Sequence, residues 1–322
     1  MKRSFFRSVL LAAILCQTGA LNIANAQDTL SESSWNDLSD DVSRSTLFAD
    51  EIIPARLLDD EKNPNAPASF NLPKEFFFPD DAKTDKALGK PRKDAIFGID
   101  VSHWTGNIKF KNLALQRVLF VYAKATQGVG FKDAMFTKYW DDLALLKGEA
   151  KVYRGAYHFL TANEDAQAQA KSFVDYLALH GGIKPDDMPP CLDLEWDRTS
   201  TNPDRWTGQA PDKIIEKARK WLEMVEQKTG RTPVLYTAKS WWKARGIDEG
   251  KLAALSRYHV WIADYSVSHK AAEKPSIING KTQKLWQFAD DAFLSTGYTK
   301  GLDANIYYGT PQAFEQDFGI SK

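Results

Sequence analysis

The segment Cys191-Leu192-Asp193-Leu194-Glu195-Trp196 alternates apolar and acidic residues directly after Pro189 and Pro190. That is the period of a strand with one apolar face and one carboxylate face. Asp193 and Glu195 then point the same way, their Cα atoms about 6.6 Å apart at a rise of about 3.3 Å per residue. Two carboxyl groups so placed can act on one substrate bond. Each disfavours ionisation of the other, so the pair tends to hold a proton near neutrality, as a general acid requires. The leucines of the opposite face and the tryptophan that follows favour burial over an edge strand with its acids in water.

Such a pair needs a scaffold. Short apolar runs lie at Ala95 to Val101, Val118 to Ala123, Val152 to His158, Cys191 to Glu195, Val234 to Thr237, Val260 to Ala263, Leu285 to Phe288 and Leu302 to Tyr307, eight strand candidates in all. Between them run helical periods. Phe136, Trp140 and Leu143 share one face; Ala166, Ala170, Phe173, Val174 and Leu177 form a second stripe, with Thr161 and Glu164 as its capping box. Ile214, Ala218, Trp221, Leu222 and Val225 form a third, which Gly230 is placed to end. Strands alternating with helices imply parallel βαβ units, and eight strands imply a closed α/β barrel with its site at their carboxyl ends. Residues 265–284 show no helical period, so loops should join the last strands and the barrel should fall short of an eightfold repeat.

Acids recur at the strand ends that such a barrel would bring together. Asp100 ends the first strand, Asp193 and Glu195 the fourth, Asp264 the sixth, and Asp303 lies in the last. Trp104, Tyr157, Trp196, Trp241, Trp242, Tyr265 and Trp286 fall at or just beyond strand ends, and aromatic rings suit the flat apolar faces of sugars. A carboxylate pair in an aromatic trough points to glycoside hydrolysis. Other chemistries lack their motifs: there is no H-E-x-x-H, C-x-x-C, phosphate loop or G-x-S-x-G. His158 could join Asp100 and Asp193 at a metal, but with so few further histidines it is expected to hydrogen-bond within the barrel mouth. No metal or cofactor is expected.

At 322 residues with 43% hydrophobic content, the chain can bury a large core. The basic start Met1 to Arg7, an apolar run too short to span a bilayer, and Ala24-Asn25-Ala26 read as an export signal over residues 1–26. Its removal leaves 39 basic against 42 acidic residues, and nothing calls for nucleic acid or a transmembrane segment. Cys16 would leave with the signal, and Cys191 would remain as an inert buried residue. Residues 27–94 hold 15 acidic and 9 basic residues and six of the 14 prolines. They read as an arm or linker, with Phe76-Phe77-Phe78 apolar enough to lie against a folded body over residues 95–322. That body carries a mild basic excess, suited to an anionic polymer.

Eight motifs in order resemble those of the glycoside hydrolase family 25 lysozymes. They are Phe97-Gly98-Ile99-Asp100-Val101-Ser102 with Trp104 and Gly106; Phe120 to Gly128; Gly155-Ala156-Tyr157-His158-Phe159; Leu192 to Glu195; Val234-Leu235-Tyr236-Thr237; Trp261-Ile262-Ala263; Trp286-Gln287; and Asp303-Ala304-Asn305. The resemblance implies a TIM-like (β/α)5(β)3 barrel, preceded here by a long N-terminal arm, and N-acetylmuramidase activity on peptidoglycan glycan strands in the periplasm or outside the cell. It implies Glu195 as general acid, Asp193 as its partner, and Asp100 and Asp303 as further carboxylates. Trp104, Tyr157, Trp196, Tyr236, Asp264 and Trp286 are the candidates for holding the sugar chain. Gln127 departs from the family pattern, which often has Glu there. The rival readings are a barrel that binds glycan without cutting it, a scaffold or inhibitor delivered by the arm, and a chitinase-like hydrolase. The last normally carries further spaced aspartates where this chain has Met188, Pro189 and Cys191.

Overall fold

The structure, a computed structural model, describes residues 76–86, 89–198, 204–264 and 283–321. All eight apolar runs become strands, named here β1 (Ala95–Val101), β2 (Val118–Gln127), β3 (Tyr153–Phe159), β4 (Cys191–Asp193), β5 (Val234–Ala238), β6 (His259–Ala263), β7 (Leu285–Leu294) and β8 (Leu302–Tyr308). Neighbours from β1 to β7 pair in parallel. Strand β8 runs antiparallel between β7 and β1 and closes the barrel. Because β8 is reversed, its first residues sit at the rim where the other strands end. Asp303 therefore lies directly opposite Asp100.

Among the described residues, a helix follows each of the strands β2 to β5. These helices are α1 (Phe136–Ala144) after β2, α2 (Ala166–Leu179) after β3, α3 (Pro211–Thr229) after β4, and the short α4 (Lys239–Ala244) after β5. The first crossover is built of two 3-10 turns, Phe110–Asn112 and Ala114–Gln116. The stretch expected to join β6 and β7 without a helix lies mostly outside the described residues. In α3 the five residues of the expected stripe are all buried. Pro211 starts that helix, where its missing N–H costs nothing, and Gly230 ends it at φ 69°, donating to the Glu226 carbonyl.

The cap of α2 differs from expectation. Asp165, not Thr161, accepts from the Ala168 N–H. The helix begins at Ala166, and a capping oxygen reaches only two or three residues ahead. Thr161 N–H is satisfied instead by Gln169 Oε1 at 2.9 Å. Strand β4 is also shorter than the alternating pattern suggested, ending at Asp193 and leaving Glu195 in a bend.

Large rings fill the barrel interior, and two glycines make room for them. A Cβ on Gly98 would lie 2.3 Å from the Phe120 ring, and one on Gly155 would lie 2.3 Å from the ring of Tyr122. On the outer side, none of α1 to α4 lies over β7, β8 and β1, and among the described residues the end of the arm packs there. The Phe76 ring lies 5.3 Å from that of Phe97 and 5.0 Å from that of Phe288, while Phe77–Phe78 pairs in parallel with Phe293 and Leu294 of β7. At the opposite end α5 (Pro311–Asp317) packs Phe314 against Phe120 and Tyr307.

Candidate active site

Strand order and barrel closure bring three aspartates to one rim, and Glu195 follows in the bend beyond β4. Asp100 ends the inward face of β1, Asp193 ends β4, Asp303 opens β8, and Glu195 follows Asp193 by two residues. Asp100, Asp193 and Glu195 are each about 1% exposed. Burial of acids this deep requires polar company. For Asp100 that company is an amide layer. Its Oδ2 accepts from Gln287 Nε2 at 2.7 Å and from Asn305 Nδ2 at 2.8 Å. Gln287 Oε1 in turn accepts from the Tyr236 hydroxyl at 2.7 Å, and Asn305 Oδ1 accepts from Trp261 Nε1 at 2.8 Å. Tyr236 stands beside Asp193 in the β4–β5 register. One hydrogen-bonded layer therefore runs across the barrel from Tyr236, beside Asp193, to Asp100.

Glu195 sits between two fixed stretches of backbone. On one side Leu194 N–H donates to the Tyr236 carbonyl, and the Leu194 carbonyl accepts from Thr237 Oγ1 at 2.8 Å. On the other, the Asp197 carboxylate accepts from Ala162 N–H at 2.8 Å, and Arg205 lies 3.0 Å from its second oxygen. Asp204 completes this clamp. It accepts from the N–H groups of Asp197 and Trp206 through Oδ1 and from Trp241 Nε1 through Oδ2, with Arg245 at 3.4 Å. Burial raises its pKa above the usual carboxylate value. The loop after β4 is thus tied to the ends of both β3 and β5.

The predicted aromatics divide sharply. Trp104 is 52% exposed, whereas Tyr157, Trp196, Tyr236 and Trp286 are nearly fully buried. Trp286 alternates with the inward Gln287, and its indole N–H donates to the Asp264 carbonyl at 2.7 Å. Asp264 is itself buried at the end of β6, its N–H on the Gln287 carbonyl. Tyr265 lies outside the described residues. His158 is not in the mouth. It faces outward from β3, fully buried between the sheet and α2 and α3, with Thr126 Oγ1 at 2.6 Å, Gln169 Oε1 at 3.2 Å and the Trp221 ring stacked at 5.3 Å. Burial pushes its pKa down to about 3. Strand alternation decides this, since Tyr157 and Phe159 on either side take the inward face.

In the sequence Gln287 and Asn305 stood out only as members of motifs, with no role of their own, and Asp197 and Asp204 did not stand out at all. A signal existed for the first two: each is an amide at an inward position of an otherwise apolar strand, and such groups are kept only when bonded. Inside the mouth, Lys124 Nζ bonds Gln127 Oε1 at 2.5 Å and lies 5.1 Å from the Phe159 ring centre. The chemistry open to this rim is that of clustered carboxylates, proton donation and charge stabilisation at one bond.

Comparison with known proteins points the same way. The profile of the family described as "Glycosyl hydrolases family 25" matches residues 99–296. Lysozyme M1 of Streptomyces globisporus is 28% identical over 231 residues, 69% of this chain and 69% of that protein. The N,O-diacetylmuramidase of a Chalaropsis species is 27% identical over 65% of this chain and 94% of its own. Among solved structures, the bacterial lysozyme of Streptomyces coelicolor superposes with a TM-score of 0.58 at 27% identity, covering 70% of this chain and 97% of that one.

Proposed function

The chain belongs to glycosyl hydrolase family 25, and on that premise we propose that it is a lysozyme-type hydrolase cutting the β-1,4 bond between N-acetylmuramic acid and N-acetylglucosamine in peptidoglycan. The observation that carries this reading is the meeting of Asp100, Asp193, Glu195 and Asp303 at one rim of the closed barrel. Glu195 is assigned as the general acid that protonates the leaving oxygen. Its clamped backbone suits a group that must hold one position through the reaction. Asp193, two residues before Glu195 at the end of β4, is assigned to hold the acetamido N–H while the acetamido oxygen attacks the anomeric carbon, as in substrate-assisted glycosidases. Asp100 is oriented by Gln287 and Asn305, and together with Asp303 it stabilises positive charge developing at the sugar ring. The site works on a polymer outside the cytoplasm, in keeping with the export signal read in residues 1–26.

The decisive experiment uses purified protein and a peptidoglycan suspension. Turbidity should fall and reducing ends should appear at N-acetylmuramic acid. Release of N-acetylglucosamine reducing ends, or no release, would overturn the assignment. Substrate assistance has its own test. Peptidoglycan de-N-acetylated at muramic acid should bind but resist cleavage, and cleavage at an undiminished rate would move the nucleophile's role to an enzyme carboxylate.

A further inference from the structure

Beyond the acid rim, the loop after β1 holds an aromatic ring rigidly in the open. Trp104 occupies a turn closed by Thr105 N–H on the Ser102 carbonyl and Gly106 N–H on the His103 carbonyl. The turn is tied from outside as well. The Tyr139 hydroxyl donates to the carbonyls of Ser102 and Gly106, and that of Tyr298 to the Thr105 carbonyl at 3.0 Å. An exposed indole on so fixed a loop offers a flat apolar face, and the backbone that carries it needs no further ordering on binding.

The neighbouring His103 is equally fixed. Asp133, about 1% exposed, accepts from His103 N–H at 3.0 Å, lies 2.7 Å from His103 Nδ1, and accepts from Met135 N–H at 2.9 Å. A carboxylate can only accept, so Nδ1 carries a proton, and Nε2 is the ring nitrogen left to meet a ligand. Among the described residues nothing bonds Nε2. The imidazole lies 4.7 Å from the Trp104 ring and 5.7 Å from that of Phe131, and Lys124 Nζ lies 5.3 Å from the centre of Phe131. Trp104, His103 and Phe131 thus form a wall continuous with the barrel mouth. Asp100 is only three residues before His103, so at most about 11 Å of extended chain separates their Cα atoms.

We propose that Trp104, His103 and Phe131 form a saccharide subsite beside the catalytic rim, taking one N-acetylhexosamine of the glycan strand. The sugar stacks on Trp104, and one of its hydroxyls hydrogen-bonds to His103 Nε2. Asp133 is the positioning residue that fixes the tautomer. The subsite rests on the glycan-hydrolase reading and extends it by naming where the strand is gripped.

The test uses the full chain carrying Glu195→Gln, so that ligand is bound without turnover, titrated by calorimetry with a peptidoglycan hexasaccharide. Added Trp104→Ala should weaken binding at least tenfold. Added His103→Asn keeps an N–H for Asp133 while deleting the outer nitrogen, and should weaken binding about fivefold with the melting temperature held. In the active enzyme both losses should fall on KM rather than kcat. Binding within twofold of the Glu195→Gln protein for both variants would overturn the subsite and leave the hydrolase reading standing. If the Glu195→Gln protein itself binds no hexasaccharide, both fall together.

Discussion

The carboxyl of Glu195 and the imidazole of His158 are both buried, yet their surroundings give them opposite tasks. Glu195 lies at the acid rim, where it is the proposed general acid. Glu195→Gln keeps the shape but has no acidic proton, so hydrolysis should fall by about 10²-fold or more while the fold is kept. A variant retaining over half the parent rate would remove Glu195 from the role. His158 is a wall residue held neutral between Thr126 and Gln169. Its folded pKa of about 3 lies below the ordinary value of 6.5, so between the two the unfolded chain binds more protons. The stability it contributes is complete above about pH 6.5 and drains as pH falls toward 3, by on the order of a few kcal/mol. His158→Phe should therefore flatten the dependence of stability on pH over this window, even if it costs stability at neutrality. Denaturant unfolding at intervals from pH 4 to 7 would measure it, and an unchanged slope would refute the assignment.

Among the elements, the loop after β4 governs how well Glu195 is held. Asp204 gathers N–H groups from Asp197, Trp206 and Trp241. Asp204→Ala leaves these donors without their acceptor, at about 1–3 kcal/mol for each buried group that finds no replacement. The expected loss is about 2–4 kcal/mol in denaturant unfolding, with kcat lowered in protein that is still folded. Asp204→Asn should recover part of both, because its amide oxygen can still accept from Asp197 and Trp206. Equal kcat for all three proteins would show that the clamp supports the fold and not the acid.

At the scale of the molecule, the flank left open by α1 to α4 explains the grip of the arm. Phe76 and Phe78 are buried with Phe97 and Phe288 on that flank. Burying two phenylalanines stabilises by about 1.5–3 kcal/mol each. A variant beginning at Lys74 should therefore cut soluble glycan at the parent rate, whereas one beginning at Ala95 should melt several degrees lower. Loss of activity in the first, with its fold intact, would show that residues before 74 help to complete the cleft. Equal melting of the two would show that the phenylalanines contribute little.

The sequence by itself determined the eight strands, the helical stripes and the acids at the strand ends, because period and residue type are local and burial enforces them. It also carried the family resemblance, since motif order survives in the chain. Tertiary structure decided which side chains meet. Alternation put His158 outside the mouth and Gln287 and Asn305 inside, and neither placement is certain until register and barrel closure fix which face is inward. The reversed β8 set Asp303 against Asp100 across more than 200 residues of sequence. The Asp204 clamp and the His103–Asp133 pair each join different loops, and contacts between loops obey no sequence period. They exist only once the barrel has brought its strand ends to one rim.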